Sequence, residues 1–306
     1  MRVLVTGADG FVGKHLCKHL RESGDDVIEA GSPHAAPVEG RVYALDVTAQ
    51  GWVEEVLSAV RPEGIIHLAG QSSVGKSHQD PSRSFAVNAQ GTANVLAAAH
   101  SLVPSCRLLL IGSGEMYGPV ANGASADEST PLLPTSPYAA SKVAAEVMGL
   151  QFHRSYGTHV VCARPFNHIG PGQDPGFVVP SFAAQVSAIA RKKAPPVLKV
   201  GNLSPERDFL HVLDVVAAYR LLLVRGEAGG VYNVSSGTGL RIEQLLELIL
   251  DIAGVKASVE VDPSKVRSVE LPRLVGNSSK LKTLGWAPTH SVREALSEVL
   301  DEVSSR

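Results

Sequence analysis

The chain has few of the residues that build disulfide-rich, membrane-embedded or nucleic-acid-binding proteins. Its 306 residues include only three cysteines and two tryptophans, and aromatic residues make up 5% of the composition. Cys17, Cys106 and Cys162 are scattered without metal-ligand spacing, so we predict reduced thiols and no metal site. The formal net charge is −2, so no electrostatic attraction of the whole chain to nucleic acid or membrane is expected.

Long apolar runs are also missing. The run over residues 212–224 is too short to span a bilayer and is interrupted by Asp214 and Arg220. Because Met1 and Arg2 lead directly into an apolar strand pattern, we expect no signal peptide and a soluble, cytoplasmic protein. A chain of this length can bury a large core, and we expect a nucleotide domain with a smaller lobe.

The first chemical signal is a glycine-rich turn that follows an apolar run. Val3, Leu4 and Val5 precede glycines at positions 7, 10 and 13, and a helical pattern covers residues 14–21. A strand, a glycine turn and a helix N-terminus let backbone amides contact a pyrophosphate. Further strands and helices alternate up to residue 68, which predicts a parallel, Rossmann-type sheet with right-handed crossovers.

A second signal lies in a helix that we expect to begin at Ser136, with Pro137 in its first turn. Tyr138 and Lys142 would lie one turn apart on one face of this helix, so that the ammonium favours the phenolate. Tyr138 would then donate a proton to a carbonyl oxygen near neutral pH. Ser113 follows the buried strand pattern at 108–111 and would orient that oxygen at the carboxyl edge of the sheet.

The end of the second strand bears on cofactor choice. An acidic side chain there would accept hydrogen bonds from the adenosine ribose of NAD. We place this position at Gly31, beside Ser32, which leaves space for a 2′-phosphate and favours NADP(H) over NAD(H). The alternative is Glu29, two residues earlier, and residues 31–40 contain no arginine to bind a phosphate.

Residues 70–77 also fit the phosphate-loop pattern of nucleoside triphosphatases. In a true phosphate loop the helix continues beyond the Gly-Lys pair, here Gly75 and Lys76. Asp80 and Pro81 fall within what would be the second turn of that helix, where proline is unfavourable. A phosphate-loop NTPase therefore stays only as a remote alternative.

The glycine spacing, together with Tyr138 and Lys142, resembles the extended, nucleotide-sugar-modifying branch of the short-chain dehydrogenase/reductase superfamily over nearly the whole chain. The motifs at 164–173 and 207–209 are most similar to the GDP-4-keto-6-deoxy-D-mannose reductases. The resemblance implies NADPH-dependent reduction of the C4 ketone of GDP-4-keto-6-deoxy-D-mannose to GDP-D-rhamnose, or to its C4 epimer GDP-6-deoxy-D-talose.

Two further functions stay open. In the related GDP-mannose 4,6-dehydratases, a glutamate at the position of Glu115 is the base for water elimination, so a dehydratase or epimerase is one rival. The short segment after the second strand and the pair Gly112-Ser113, where those dehydratases have Ser-Thr, favour the reductase. The other rival is a non-catalytic NADP-binding sensor.

The resemblance also implies three groups of site residues. The catalytic residues would be Ser113, Tyr138, Lys142 and Glu115. The cofactor would contact Gly7, Asp9, Gly10, Phe11, Val12, Gly13, Gly31, Ser32, Asp46, Val47, Leu68, Ala69, Gly70, Tyr138, Lys142 and Pro165. The substrate would contact Ser72, Ser73, Asn167, Arg207, Arg267 and Glu270.

Several of these residues have a structural alternative. Asp46 would serve equally well as a helix cap, Asn167 as part of a turn, and either arginine as a surface ion-pair residue. Ser268 stands where the family usually has proline, which weakens the assignments of Arg267 and Glu270.

The same resemblance suggests how the chain is organised. We expect a dinucleotide-binding domain of residues 1–165 plus about 206–235, and a nucleotide-sugar-binding lobe of residues 166–205 and 236–306. Asn88 would brace the sheet near the site, and the Gly- and Pro-rich segment 118–134 would be a mobile loop beside the substrate. A homodimer is expected through the helices around residues 93–99 and 140–152.

Overall fold

The structure is a computed structural model that describes residues 1–33, 42–120, 123–266 and 270–305. Its strands are β1 (Arg2–Thr6), β2 (Asp26–Gly31), β3 (Val42–Ala44), β4 (Gly64–His67), β5 (Arg107–Ile111), β6 (Val160–Pro165), β7 (Asn167–Ile169), β8 (Val197–Val200), β9 (Glu206–His211), β10 (Val231–Val234), β11 (Gly239–Arg241), β12 (Ser258–Val261) and β13 (Arg273–Leu274). Its α-helices are α1 (Phe11–Glu22), α2 (Gln50–Val60), α3 (Val74–Gln79), α4 (Pro81–Phe85), α5 (Gly91–Leu102), α6 (Pro137–Tyr156), α7 (Val178–Ala190), α8 (Val212–Arg225), α9 (Ile242–Ala253), α10 (Ser279–Lys282) and α11 (Val292–Ser305). A π-helical turn covers Ala86–Gln90, and 3₁₀ turns cover Gly114–Tyr117 and Pro263–Lys265.

The main sheet has seven parallel strands in the order β3-β2-β1-β4-β5-β6-β10. The chain starts near the middle at β1, moves outward to β3, and returns to β4 on the other side of β1. Connections leave β1 and β4 in opposite directions, so a crevice opens at the carboxyl ends of these two strands. This topology confirms the predicted Rossmann-type sheet.

Helices cover both faces of this sheet. On one face α1 and α8 contribute Leu16, Leu20, Val215 and Tyr219 to a buried cluster. On the other face, a second cluster takes side chains from α2 and α5 and is lined by α6. Because the central strands are buried on both faces, they need apolar residues at every position, which explains the continuous runs in β4 and β5.

Local signals fix the ends of the two helices that matter most for the site. The Ser136 hydroxyl accepts a hydrogen bond from the Ala139 amide at 3.1 Å, and Pro137 is the first residue of α6, as predicted. Helix α1 begins at Phe11, three residues earlier than the sequence pattern indicated. Gly10 is its N-cap and makes no side-chain cap, so the amides of the first turn point to the crevice without a local side-chain acceptor.

A second sheet adjoins the carboxyl end of β6. It has the order β11-β9-β13, with β7 also paired to β9, and β8 pairs separately with β12. Helices α7, α9 and α11 pack around β8 and β9 in a core of their own. Strand β9 therefore lies with the smaller lobe, although the boundary near residue 206 had placed it with the main sheet. Chain continuity explains the difference, since α8 and β10 return to the main sheet directly after β9.

The segment that we expected to be a mobile loop is hydrogen-bonded in its second half. The Ala126 amide donates to the Val275 carbonyl, and the Asn277 amide donates to the Ala126 carbonyl, both at 2.8 Å. The Asn233 amide donates to Glu128 Oε1 at 2.7 Å, and Ala126 is fully buried. The expectation of mobility is therefore wrong for residues 126–128, because their partners lie more than a hundred residues away in the sequence.

The apolar run after residue 211 is the helix α8, which is buried against the main sheet. Asp214, near its start, is also buried and accepts hydrogen bonds from the Thr289 and His290 amides. Over the part of the chain that the structure describes, no helix combines the length and apolar character needed to cross a bilayer.

Candidate active site

The glycine turn between β1 and α1 is shaped for close backbone approach. Gly7 has φ of +69°, and a Cβ atom there would lie 2.8 Å from the Ala69 nitrogen. A Cβ atom on Gly13 would lie 2.3 Å from the Gly7 carbonyl oxygen, which itself accepts a hydrogen bond from the Gly10 amide at 3.1 Å. Only glycine fits these positions. The turn and the N-terminus of α1 thus fit the pyrophosphate of a dinucleotide.

The other predicted residues of this turn connect it to neighbouring segments. Asp9 Oδ1 accepts a hydrogen bond from the Ser32 amide at 3.1 Å, so it fixes the chain just after β2. The Phe11 ring stacks on the His168 ring with centroids 6.0 Å apart, and Val12 packs against the main core. The structure therefore brings the glycine turn, the end of β2 and strand β7 to one place.

Strand β2 ends at Gly31, the position that the sequence predicted for the ribose-reading residue. Glu29, the alternative, forms an ion pair with Arg21 of α1 and so already has a cationic partner. Gly31 is buried and has no side chain that could accept a hydrogen bond from a ribose hydroxyl.

The next predicted pair lies after β3. Hydrogen bonds from the Thr48 hydroxyl and amide, at 2.7 and 2.9 Å, lower the pKa of Asp46. Ala49 is the N-cap of α2, so the alternative of Asp46 as a helix cap is wrong. Val47 is buried, and its carbonyl oxygen accepts a hydrogen bond from Asn94 at 2.8 Å.

Ser113, Tyr138 and Lys142 meet at the carboxyl edge of the main sheet, and each is less than 10% exposed. Burial raises the pKa of Tyr138 to about 12, although a hydrogen bond with Ser113 opposes this shift, and the charge of Glu115 adds to it. The net pKa of this phenol is therefore raised, whereas the spacing to Lys142 predicted a lowered one, so the predicted direction is wrong. Burial is the largest cause of the shift, because Tyr138 on α6 is buried in the folded protein. The spacing of residues in the sequence does not reveal this burial.

Lys142 has a different partner from the one that its spacing suggested. Its Nζ atom donates a hydrogen bond to the Ile111 carbonyl, at the end of β5, at 2.8 Å. Burial lowers the pKa of Lys142 to about 8. A Cβ atom on Gly70 would lie 3.4 Å from Nζ, so the predicted segment Leu68, Ala69 and Gly70 reaches Lys142.

Asn88 braces this region, as predicted. Its Oδ1 atom accepts a hydrogen bond from the Gln71 amide at 2.8 Å, and its Nδ2 atom donates to the Ser141 hydroxyl at 2.9 Å. Asn88 lies in the π-helical turn, a backbone form that often occurs at functional sites. The brace connects the segment after β4 to the helix that carries Tyr138 and Lys142.

The residues after Gly70 do not form a phosphate loop. Val74, Gly75 and Lys76 are already helical in α3, and the Ser73 hydroxyl accepts a hydrogen bond from the Lys76 amide at 3.2 Å. The Ser77 hydroxyl, which would bind Mg²⁺ in a phosphate loop, donates to the Val74 carbonyl at 2.7 Å. The NTPase alternative is wrong. Ser72 is exposed beside this short helix.

Two of the six predicted substrate residues, Asn167 and Arg207, lie on the second sheet. Asn167 of β7 pairs with Phe209 of β9, and Arg207 is two residues earlier on that strand. Arg207 is only 7% exposed and donates to the Glu206 carbonyl at 3.0 Å, so it is not a surface ion-pair residue.

The remaining predicted contacts are less uniform. Glu270 accepts a hydrogen bond from Asn202 at 2.8 Å, and Pro165 is buried at the end of β6. Arg267 lies outside the described residues.

Sequence reasoning missed a buried polar network behind the site. Arg164 donates from Nε and Nη2 to the two oxygens of Glu146, at 2.9 and 2.6 Å, and from Nη1 to the Tyr117 hydroxyl at 2.8 Å. Asp208, next to Arg207, accepts hydrogen bonds from the Ser236, Gly237 and Gly276 amides. The available signal was a charged residue inside an otherwise apolar strand, since such a residue must find a partner when buried.

A buried histidine was also missed. His67 Nδ1 lies 2.8 Å from the Thr6 hydroxyl, and that hydroxyl accepts a hydrogen bond from the Ala69 amide at 3.2 Å. Burial and the nearby Lys142 charge lower the pKa of His67 to about 3, so the ring is neutral.

The fold and this site define a class of protein, and comparison with known sequences agrees. The sequence model of the family described as GDP-mannose 4,6 dehydratase matches residues 4–299. The chain belongs to this family, within the extended short-chain dehydrogenase/reductases.

Individual relatives cover the whole chain. The GDP-6-deoxy-D-mannose reductase of Pseudomonas aeruginosa is 41% identical over 311 residues, which span 100% of this chain and 98% of that protein. A solved structure of RMD from Pseudomonas aeruginosa complexed with NADPH has a TM-score of 0.88 and 38% identity, with coverage of 99% and 97%. The UDP-glucose 4-epimerase of Thermus thermophilus, solved with NAD, has a TM-score of 0.89 and 34% identity, with coverage of 99% of both chains.

These relatives confirm the fold class and the resemblance that the motifs indicated. Both of these solved structures contain a nicotinamide dinucleotide, NADPH in the first and NAD in the second.

Proposed function

We propose that the protein reduces the C4 ketone of GDP-4-keto-6-deoxy-D-mannose with NADPH and forms GDP-D-rhamnose. The observation that carries the proposal is the meeting of Ser113, Tyr138 and Lys142 at the edge of the sheet, beside the glycine turn. A reductase relative that matches the whole chain supports the choice of sugar nucleotide. No residue named here fixes the face of C4 that is reduced, so GDP-6-deoxy-D-talose is the second product to test.

The chain's own part in the reaction is to orient the ketone and to donate a proton. Tyr138 is protonated at neutral pH because burial keeps its pKa high, so its hydroxyl can donate to the C4 oxygen. The Ser113 hydroxyl would donate a hydrogen bond to the same oxygen. Lys142, as an ammonium, would stabilise the phenolate that remains. The bound nicotinamide dinucleotide supplies the hydride.

We propose NADP(H) as the preferred cofactor. β2 ends at Gly31, which has no acidic side chain for the ribose hydroxyls, and Glu29 is paired with Arg21. Dissociation constants for NADPH and NADH, measured at one salt concentration, test this choice. Tighter binding of NADH would contradict it.

The substrate-binding roles of Ser72, Ser73, Asn167, Arg207 and Glu270 are part of the same proposal. Arg207 has the geometry to hold a diphosphate, because a planar guanidinium can donate two parallel hydrogen bonds to phosphate oxygens. Its nearly complete burial next to Asn167 on the second sheet supports this role.

A dehydratase is the second candidate, and Glu115 is the observation that favours it. This carboxylate follows Ser113 by two residues, and its charge contributes to the raised pKa of Tyr138, so it lies near the candidate catalytic residues. One experiment separates the two functions. Purified protein is incubated with NADPH and GDP-4-keto-6-deoxy-D-mannose, and separately with GDP-mannose, and the sugars are identified by NMR. NADPH consumption with the keto sugar supports the reductase, whereas water loss from GDP-mannose without NADPH consumption establishes the dehydratase.

We also propose a cytoplasmic homodimer that forms through α5 and α6. Ala140, Val143, Ala144 and Val147 recur at helical spacing on α6, and Val147 is 52% exposed. Small residues on such a face allow close helix packing across a two-fold axis. Light scattering should show a dimer at micromolar concentration and a monomer for Val147→Lys. A monomeric parent protein would contradict the proposal.

A further inference from the structure

Helix α6 carries an acidic residue one turn after the lysine of the site. Lys142 and Glu146 are four residues apart, a spacing at which opposite charges on a helix can pair. Both side chains line one small cavity together with His67 and Thr92. The volume of this cavity is about 10 Å³. Within the described residues, however, Lys142 forms no ion pair with Glu146. Lys142 donates to the Ile111 carbonyl at 2.8 Å instead.

Arg164 explains why this pair does not form. It donates bidentate hydrogen bonds of 2.9 and 2.6 Å to the two carboxylate oxygens of Glu146. Arg164 and Glu146 are 5% and 4% exposed. A guanidinium matches a carboxylate in shape, so it competes better for Glu146 than an ammonium does.

Arg164 is itself held from the opposite side. Its Nη1 atom donates to the Tyr117 hydroxyl at 2.8 Å, and that hydroxyl donates to Asn233 Oδ1 at 2.6 Å. The guanidinium carbon also lies 5.0 Å from the centre of the Tyr117 ring. These contacts fix the direction of the guanidinium, and therefore the direction of the Glu146 carboxylate.

We propose that Arg164 is a positioning residue for the reaction, because it holds the Glu146 carboxylate away from Lys142. Without Arg164, Glu146 would bind the ammonium across the shared cavity and draw it from the Ile111 carbonyl. Lys142 would then no longer lie beside Tyr138 in the orientation that the reaction needs. The inference rests on the proposed reductase function, in which Lys142 acts on Tyr138.

Kinetics of three variants test the inference. Arg164→Met leaves Glu146 without its partner, and kcat should fall by about 10²-fold with an almost unchanged KM, since a misplaced lysine affects the reaction and not sugar binding. Glu146→Met combined with Arg164→Met removes the carboxylate as well and should restore kcat to within about tenfold of the parent, because an apolar pair can replace a buried ion pair. Arg164→Lys keeps the charge and should lie between the parent and Arg164→Met.

A purely structural role for Arg164 predicts a different order of activities. In that case the double variant would be no more active than Arg164→Met, and this result, with both proteins folded, would overturn the inference. Thermal unfolding of each variant checks folding. If Arg164→Met does not fold, the double variant alone tests the positioning role of Arg164. A folded but inactive double variant contradicts the proposal, and an active double variant supports it.

A crystal structure of the Arg164→Met variant provides a test that needs no substrate. The Glu146 carboxylate should lie within about 4 Å of Lys142 Nζ, the distance of an ion pair. If the carboxylate stays away and Lys142 still binds the Ile111 carbonyl, the inference is wrong. Should the parent protein fail to reduce the proposed sugar, the proposed function fails on its own, and the crystal structure still decides the role of Arg164.

Discussion

Two buried cations lie on either side of Glu146, and their surroundings are opposite. Arg164 has a carboxylate, a phenol hydroxyl and an aromatic ring as partners. Burial alone would lower the pKa of Arg164, but its hydrogen bonds and ion pair with Glu146 raise it. Lys142 has a backbone carbonyl as its hydrogen-bond partner, and burial lowers its pKa to about 8.

This difference distinguishes a structural charge from a reactive one. A cation that holds elements together is stabilised by a full counter-charge, which makes it inert. A cation that acts on a neighbouring phenol must keep its charge available, and the protein accepts a cost in stability at that position. Variants near Lys142 should therefore mainly change turnover, and variants near Arg164 should mainly change stability.

Tyr138→Phe should have the largest effect, because it removes the proton donor next to Lys142. Turnover should fall by about 10²- to 10⁴-fold, the usual contribution of general acid catalysis. The dissociation constant for NADPH should change little, since the ring is kept. Steady-state kinetics and a fluorescence titration measure the two quantities. Unchanged turnover would sink the catalytic scheme and leave a cofactor-binding sensor as the better explanation.

Glu146→Ala should cause the largest loss of stability among these variants, because it leaves Arg164 buried without a counter-charge. The free energy of unfolding should fall by about 3–5 kcal/mol. Arg154→Ala, an exposed change on the same helix, is the matched control and should stay within about 0.5 kcal/mol of the parent. Chemical denaturation measures both. A loss as small as that of the control would mean that the pair is no stronger than a surface ion pair.

Lys142→Met should stabilise the folded protein at neutral pH while it abolishes efficient turnover. The pKa of Lys142 falls from 10.5 to about 8 on folding, so the unfolded chain binds more protons between these values and stability rises with pH across this window. At pH 7 the buried ammonium lowers the free energy of unfolding by about 3 kcal/mol, and the methionine variant has no such loss. Unfolding measured from pH 7 to 10.5 should therefore be flatter for the variant, and parallel curves would refute the prediction.

His211 offers a smaller effect at acid pH. His211 is the N-cap of α8, and its Nδ1 atom accepts a hydrogen bond from the Leu213 amide at 3.1 Å. The charged and titratable groups near its ring are Glu298, His290 and Asp214. Burial, the largest cause, lowers the pKa of His211, so its contribution to stability is complete above about pH 6.5 and is lost as pH falls below that value.

His211→Asn keeps a capping acceptor that does not titrate. Between pH 7 and 5 this variant should lose less stability than the parent, because asparagine does not take up a proton in this range. Thermal unfolding over that range measures the difference. An equal loss in both proteins would show that another group causes the acid sensitivity.

Features encoded by neighbouring residues could be predicted from the sequence. The glycine turn, the start of α6 at Pro137 and the shared face of Tyr138 and Lys142 each depend on a few adjacent positions. The alternation of strands and helices likewise predicted the main sheet, since parallel strands need crossover helices.

Features that depend on distant contacts could not be predicted. The partners of Arg164 are 18 and 47 residues away, and nothing in the local spacing of the strand indicates them. The pKa of Tyr138 moved in the opposite direction to the prediction because burial, which only the folded structure shows, outweighed the hydrogen bond with Ser113. The domain boundary near residue 206 placed strand β9 with the main sheet, whereas it pairs with β7, β11 and β13, because pairing between strands that are distant in the sequence is not encoded locally.

Isotope transfer tests the proposed reduction most directly. The protein is incubated with NADPH that carries deuterium at both positions of nicotinamide C4 and with GDP-4-keto-6-deoxy-D-mannose. The account predicts that deuterium appears at C4 of the sugar, with one cofactor oxidised for each sugar reduced, and that Tyr138→Phe slows this transfer. A sugar that lacks deuterium at C4, with the cofactor unconsumed, would contradict the account.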